Sequence, residues 1–402
     1  MQSRRRRGTL ASIAAELGVS RTTVSNAYNR PDQLSEKLRE HILETAERLG
    51  YPGPDPMARG LRMRRVGAIG VLFTEHLPFA FEDPASVDFL AGLAEELGEM
   101  GDSMLVIPAS SEEGGDVDLN LIRQAVVDGF VVYSVADNDP FLAAVRARGL
   151  PTVVCDQPAD AVALPFVGID DREAIKPAVR HLTELGHRKV GILSVRLSRT
   201  PNSGYVTEKR LAEAHHQVQK NRVEGALEAL AEAGIQQADV PIIERHLNDR
   251  ENNRDAARQL LTDNPDLTAV VCTTDTQAIA VLEYAKENGI RVPEDLSITG
   301  FDGIEHALFH KLTTIIQPNR QKGIAVGRAL AEELEAAHEE SGLAPASAAP
   351  STGDEGDSVA PGEKGTDEMG ANSSDQQAPR VLLATELVVG STTAAPSVPS
   401  AG

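Results

Sequence analysis

Apolar positions recur at helical spacing near the start of the chain and as short continuous runs after position 66. Leu10, Ile13, Ala14 and Leu17 stand at i, i+3, i+4 and i+7, one face of a short helix that Thr9 can cap and Gly18 can stop. Ser20 is placed to cap a second helix whose inward stripe is Val24, Ala27 and Tyr28, with Arg21, Thr22, Ser25 and Asn26 together on the opposite face. A third helix, from about Ser35 to Gly50, is expected to bury Leu38, Ile42, Leu43, Ala46 and Leu49. Three short helices, the first two joined by a tight glycine turn, predict a helix-turn-helix head.

Beyond Val66 short apolar runs alternate with helical patterns: VGAIGVLF, SMLVIPA, FVVYSV and PTVVCD, then KVGILSV, VPIIER, TAVVCT and LSITGFD. Strand and helix in alternation imply parallel sheets covered on both faces, and two such series imply two doubly wound lobes with ligands at the carboxyl ends of the strands. Between the last helix and the closing RVLLATELVVGST, residues 341–379 are Ala, Pro, Ser, Gly, Asp and Glu with hardly an aliphatic, and read as a disordered inserted loop.

The 402-residue chain has a formal net charge of −21, which taken alone argues against nucleic acid. Its distribution reverses that reading. Residues 1–66 hold thirteen Lys or Arg against seven Asp or Glu, a balance of +6 that leaves −27 for the remainder. A basic head on an acidic body fits a protein whose head alone meets phosphate. Cys155 and Cys272 sit in apolar runs, too few for a disulfide framework, and suggest a reducing compartment. No apolar run reaches the roughly 18 residues of a membrane span, and RRRR followed by GTLASIAAEL is unlike a signal peptide. A cytoplasmic protein is therefore expected, with no membrane partner.

GTLASIAAELGVSRTTVSNAYN followed by LSEKLREHILETAERLGY closely resembles the DNA-binding head of the lac repressor (LacI/GalR) family of transcription regulators: the turn, the S-x-x-T-V-S core and the L-G-Y fall in order at the right separations. The resemblance implies an all-α helix-turn-helix head on an α/β two-lobed, periplasmic-binding-protein-like effector domain. It implies base reading by Arg21, Thr22 and Asn26, and phosphate contacts by Ser20, Thr23, Ser25, Asn29 and Lys37. Many relatives have Arg at position 26; Asn prefers adenine where Arg prefers guanine. The stretch YPGPDPMARGLRMRR reads either as a flexible basic linker or, with Asp55 capping and Pro56 leading, as a short helix from Met57 to Arg62. In the family the matching segment folds against the minor groove; M-A-R-G-L-R keeps Arg59 and Leu61, the latter as an apolar wedge. The expected division is a head over 1–50, a hinge over 51–66 and an effector domain over 67–395. Lobe one takes about 67–169 and 318–340, and lobe two about 170–317 and 380–394, so that RVLLATELVVGST supplies the last strand of lobe two. Gly390 stands where relatives usually have Arg.

By the same resemblance Asp156, Arg222, Thr274, Asp302 and Gln317 fall on effector-contacting positions, with Asn248 a weaker match; the effector would be a small sugar-like or nucleoside-like molecule. From position alone, Asp156, Asp302 and Gln317 end apolar runs and Arg222 opens NRVEGAL, while Asp275 reads as the cap of the helix TQAIAVLEY. There is no Trp, so ring stacking would rest on Phe79, Phe81, Tyr205 or Phe301. His215 and His216 are adjacent, point about 100° apart on a helix, and read as surface residues. No G-x-S-x-G, Walker or H-E-x-x-H pattern occurs and no cofactor is implied. The whole chain therefore predicts a homodimeric, ligand-responsive regulator, usually a repressor, on a palindromic operator. Its rivals are a solute-binding receptor, disfavoured by the basic head, and a sugar-active enzyme with a DNA-binding appendage, which turnover of a ligand would reveal.

Overall fold

A computed structural model describes residues 8–53, 65–73, 79–108, 119–159, 164–340 and 378–397. The expected wedge residues Arg59 and Leu61, and all but the last two residues of the 341–379 insertion, lie outside them. The chain divides into two compact units, residues 1–67 and 68–402.

In the first unit α1 (Leu10–Leu17), α2 (Arg21–Asn29) and α3 (Glu36–Arg48) close on a small core of Ile13, Ala14, Val24, Ala27, Ile42 and Ala46. Thr9 caps α1 in a reciprocal box with Ser12, and Gly18 ends it in the left-handed region at φ 66°. A side chain there would clash with its own backbone, so the glycine lets α2 start three residues later. Ser20 caps α2 by accepting from Thr23 N–H at 3.0 Å. Leu38, Leu43 and Leu49, expected to be buried, are only half-buried; Leu38 and Leu49 pack against the rim of this core, which the three short helices leave partly open to solvent.

The second unit holds two sheets. The six-stranded one has the order β12-β5-β4-β3-β1-β2, built from β1 (Ala68–Phe73), β2 (Ser103–Pro108), β3 (Gly129–Tyr133), β4 (Thr152–Cys155), β5 (Phe166–Gly168) and β12 (Arg380–Leu382), all parallel. The seven-stranded one has the order β13-β11-β10-β9-β6-β8-β7, from β6 (Val190–Val195), β7 (Gly204–Tyr205), β8 (Ile242–Arg245), β9 (Ala269–Cys272), β10 (Ser297–Asp302), β11 (Thr313–Ile316) and β13 (Glu386–Val388). Only its edge pairs β11–β13 and β7–β8 are antiparallel. Each sheet separates two apolar clusters: in β1, Ile69, Val71 and Phe73 face one and Leu72 the other, the alternation a doubly covered strand requires.

The closing segment departs from expectation. RVLLATELVV does not form one strand of the second lobe: Arg380–Leu382 extends the first sheet beside β5, and Glu386–Val388 adds antiparallel to β11 in the second. The connection Leu383–Thr385 is thus a third crossing between the lobes, beside those after β5 and β11. Gly390 is required where it stands, because a Cβ would lie 2.0 Å from the Lys311 carbonyl oxygen.

The helix Asn319–Glu340 returns to the first sheet and packs on the helix Pro84–Met100 at glycine-lined close range. A Cβ on Gly92 would meet Arg320 O at 2.0 Å, and one on Gly323 would meet Phe89 O at 2.2 Å. Cys155 and Cys272 are free and buried, as their apolar runs imply. Among the described residues no helix is long and apolar enough to cross a membrane.

Candidate functional site

On the head, the α2 face opposite the core is polar because its inward positions are taken by Val24 and Ala27. Arg21 and Thr22 are exposed and Ser25 and Asn26 half-buried on that face, while Lys37 is exposed at the start of α3. The Ser20 and Thr23 hydroxyls hold each other at 2.8 Å, and Asn26 Nδ2 donates to Gln33 Oε1 at 3.1 Å. Asn29 is the last residue of α2.

In the body, strand ends of both sheets converge on a cavity of about 90 Å³ lined by all six residues expected to contact an effector: Asp156, Arg222, Asn248, Thr274, Asp302 and Gln317. Ser134, Asp156 and Asp302 adopt left-handed φ of 55°, 64° and 122°, so three of the four non-glycine residues with positive φ among the described residues line this one cavity. Such conformations cost on the order of 1–3 kcal/mol each. Clustering them where strands end aims side chains that a relaxed backbone would turn elsewhere.

A continuous chain of hydrogen bonds and ion pairs joins four of them, Asp156, Gln317, Asp302 and Arg222, through Lys322 and on to Asp171. Lys322 Nζ, buried in the first-lobe helix Asn319–Glu340, donates to both Asp156 oxygens at 2.8 and 2.9 Å and to Gln317 Oε1 at 2.7 Å. Gln317 Nε2 donates to Asp302 Oδ1 at 2.7 Å, and Arg222 reaches Asp171 Oδ1 through Nε at 2.8 Å, and Thr273 O and Asp302 Oδ1 through NH1 at 2.8 and 3.3 Å. The Arg222 guanidinium also stacks 3.7 Å above the Phe301 ring.

Burial pushes the Asp302 carboxyl up to about 8, against the pull of Arg222 and with Asp275 adding to it. Burial thus favours its protonated form, and the close ion pair of Arg222 is the shorter one, to Asp171. Burial alone would lower the Lys322 ammonium, yet Asp156 against it keeps it above its ordinary value.

Several sequence expectations are corrected. Arg222 does not open its helix but lies in the second turn of Gln217–Glu232, since the residues from Gln217 onward already accept helical geometry. Thr274, not Asp275, is the N-cap of the helix Asp275–Glu287, so its hydroxyl accepts from Gln277 N–H at 3.3 Å. Asp275 is structural in another way. It is fully buried and accepts from Thr314 Oγ1 at 2.6 Å and from Ile304 N–H at 2.9 Å, with its carboxyl raised by burial to about 6.

Asn248 Oδ1 is occupied by Asn253 Nδ2 and Thr276 Oγ1 at 2.9 and 3.0 Å. Phe81, Tyr205 and Phe301 do not line the cavity; Phe73 and Tyr133 do, at the ends of β1 and β3. The side chain of Phe79 lies outside the described residues.

His216 is no surface residue. It is 2 % exposed, its charge disfavoured by burial, and its Nδ1 pairs with Gln157 Nε2 at 3.2 Å. It precedes the helix rather than lying on it and meets the first lobe there, where Val218 N–H donates to Gln157 Oε1 at 2.9 Å and His215 pairs with Asp137 at 2.7 Å. Sequence reasoning missed Asp171 and Lys322, because a carboxylate at a helix start and a lysine in N-R-Q-K read as a cap and as a solvated face. Their roles exist only through partners 51 and 166 residues away.

The model of the family described as periplasmic binding proteins and sugar binding domain of the LacI family matches residues 67–348. The chain is 55 % identical over 330 residues to the HTH-type transcriptional regulator IpsA of Corynebacterium glutamicum, covering 82 % of this chain and 92 % of that one. It is 30 % identical over 341 residues to the HTH-type transcriptional repressor CytR of Escherichia coli, covering 83 % and 92 %. Among solved structures, a LacI-family transcriptional regulator from C. glutamicum superposes with a TM-score of 0.69 at 46 % identity, covering 97 % of this chain and all of that one. The lac repressor dimer bound to operator and an anti-inducer superposes with a TM-score of 0.69 over 97 % and 100 % of the two chains, at 21 % identity a likeness of fold.

Proposed function

The chain belongs to the LacI family of DNA-binding transcription regulators, and from that premise we propose that it is a repressor that binds a palindromic operator as a homodimer and answers to a small neutral polar ligand, sugar-like or nucleoside-like, held between its lobes. The observation that carries this reading is the convergence of Asp156, Arg222, Asp302 and Gln317 on one cavity between two sheets, three of its lining residues in strained backbone positions. A ligand with adjacent hydroxyls suits it: Asp302 can donate when protonated, Asp156 accepts, and the planar guanidinium of Arg222 is fixed by its ring and carboxylate neighbours. Support for the partners comes from the family, where the lac repressor was solved as a dimer on operator DNA and a regulator, CelR, in complex with cellobiose. On the head, Arg21, Thr22 and Asn26 read base edges and Ser20, Thr23, Ser25, Asn29 and Lys37 hold phosphates, with Arg59 and Leu61 engaging the minor groove.

The test is selection of bound duplexes from a random library by the full-length protein, followed by titration of the selected site with hexoses, pentoses and nucleosides. A palindromic consensus, one dimer per site and a shift of operator affinity by one of these compounds are expected. A non-palindromic consensus, or no response while the protein turns a compound over, would overturn the reading.

A further inference from the structure

Lys322 lies in the first turn of the helix Asn319–Glu340 and is 1 % exposed. It does not line the cleft cavity, yet it is bonded to two residues that do, Asp156 and Gln317. An ammonium has three hydrogens and no lone pair. All three have acceptors: Asp156 Oδ1 and Oδ2 at 2.8 and 2.9 Å, and Gln317 Oε1 at 2.7 Å. Lys322 therefore offers a ligand nothing directly. What it governs is the Gln317 amide, whose Nε2 is left to donate to Asp302 Oδ1 at 2.7 Å.

The contact with Asp302 does not by itself choose between the two orientations of that amide. Burial raises the Asp302 carboxyl, and a protonated carboxyl donates to an amide oxygen as readily as a carboxylate accepts from an amide nitrogen. Lys322 does choose, because the reversed amide would set its NH2 against the ammonium, donor against donor.

We propose that Lys322 is a positioning residue that sets the donor and acceptor pattern of the cleft, by holding the Gln317 amide with its oxygen to the ammonium and its NH2 to Asp302. The proposal rests on the cleft being the ligand site. Gln317 lines the cavity, and the second hydrogen of its Nε2 has no acceptor among the described residues, so it is left for a ligand oxygen. Asp156, with an ammonium against both its oxygens, offers the cavity lone pairs. A compound that fits must therefore bring an acceptor to Gln317 and a hydroxyl donor to Asp156, and with the amide free to turn that demand is relaxed.

Lys322→Gln tests this, because an amide in place of the ammonium both donates and accepts and no longer dictates which way Gln317 faces. Full-length parent and variant are labelled with ¹⁵N-glutamine, and the side-chain NH2 signals of Gln317 are identified by their loss in Gln317→Glu. In the variant those signals should shift or split while glutamines far from the cleft keep theirs. Unmoved Gln317 signals, or shifts spread over distant glutamines, would overturn the proposal. If Lys322→Gln does not melt cooperatively, Lys322→Met/Asp156→Asn, which removes both charges of the buried pair together, carries the same comparison. In a second arm, hexoses, pentoses and nucleosides are titrated against operator binding by parent and variant. The affinity ratio between the best compound and the next should fall at least about threefold; an unchanged ratio, with both affinities lost equally, would mark a merely structural lysine and sink the idea. If no compound acts on the parent, the ligand reading of the cleft fails, while the Gln317 signals still decide the role of Lys322.

Discussion

Asp302 sits at the end of β10 with φ 122° and a carboxyl that burial raises to about 8. An unfolded Asp titrates near 4, so between roughly pH 4 and 8 the folded state holds a proton that the unfolded chain releases. Stability must therefore fall as pH rises through that window, on the order of 1 kcal/mol per pH unit at most. Asp302→Asn removes this dependence: thermal unfolding at pH 5 and pH 8 should show the variant losing less stability than the parent, and parallel curves would mean that Asp302 is ionised throughout. Arg222→Lys keeps the charge but loses the fork that serves Asp171, Thr273 and Asp302 together. It should preserve free-protein operator binding and weaken the ligand response at least roughly tenfold, about 1.4 kcal/mol, measured by operator binding and ligand titration on one sample. On the head, Asn26→Ala should cost about 1–3 kcal/mol on the specific site and almost nothing on random DNA; equal losses in competition binding would remove it from base reading.

At the scale of elements, the stops and caps of the head are local chemistry. Ser20→Ala leaves the Thr23 N–H without its acceptor and should lower stability of the head by about 1 kcal/mol in chemical denaturation. The crossing of Asn319–Glu340 over Pro84–Met100 is of another kind, since Gly92 and Gly323 are there for backbones that pass within van der Waals contact. Gly323→Val would force the helices apart and should cost about 1–3 kcal/mol or more, read from the denaturation midpoint of the body; an unchanged midpoint would mean that the crossing is looser than its geometry. Helices and strands themselves were legible because caps, glycine stops and apolar periods act within a few residues. The split of 380–388 into two strands was not, because only Thr385 and Glu386 part its two apolar stretches and nothing local marks which sheet each half joins.

Over the whole molecule the charge is divided, with +6 on residues 1–66 and −27 on the rest. Seven Asp or Glu lie between 341 and 379 with one Lys, in a stretch too poor in aliphatic side chains to contribute to a core. Replacing residues 344–378 with a short Gly-Ser linker should leave the melting temperature and operator recognition unchanged and raise nonspecific DNA affinity at low salt, an effect that fades as salt screens it. A large drop in melting temperature would make the segment part of the fold.

The amino-acid sequence by itself determined the helix-turn-helix, the parallel-sheet lobes, the basic head and the strand-end places of Asp156, Asp302 and Gln317, because period, capping and strand-end position are properties of neighbouring residues; Arg222, Thr274 and Asn248 were named through the resemblance to the family. Only the tertiary structure decided what those six residues can do. Lys322 faces Asp156, Asp171 faces Arg222, and burial raises the Asp302 carboxyl. Burial, and the pKa values and ion pairs that follow from it, depend on which distant segments close over a side chain, and that is set by the packed chain as a whole.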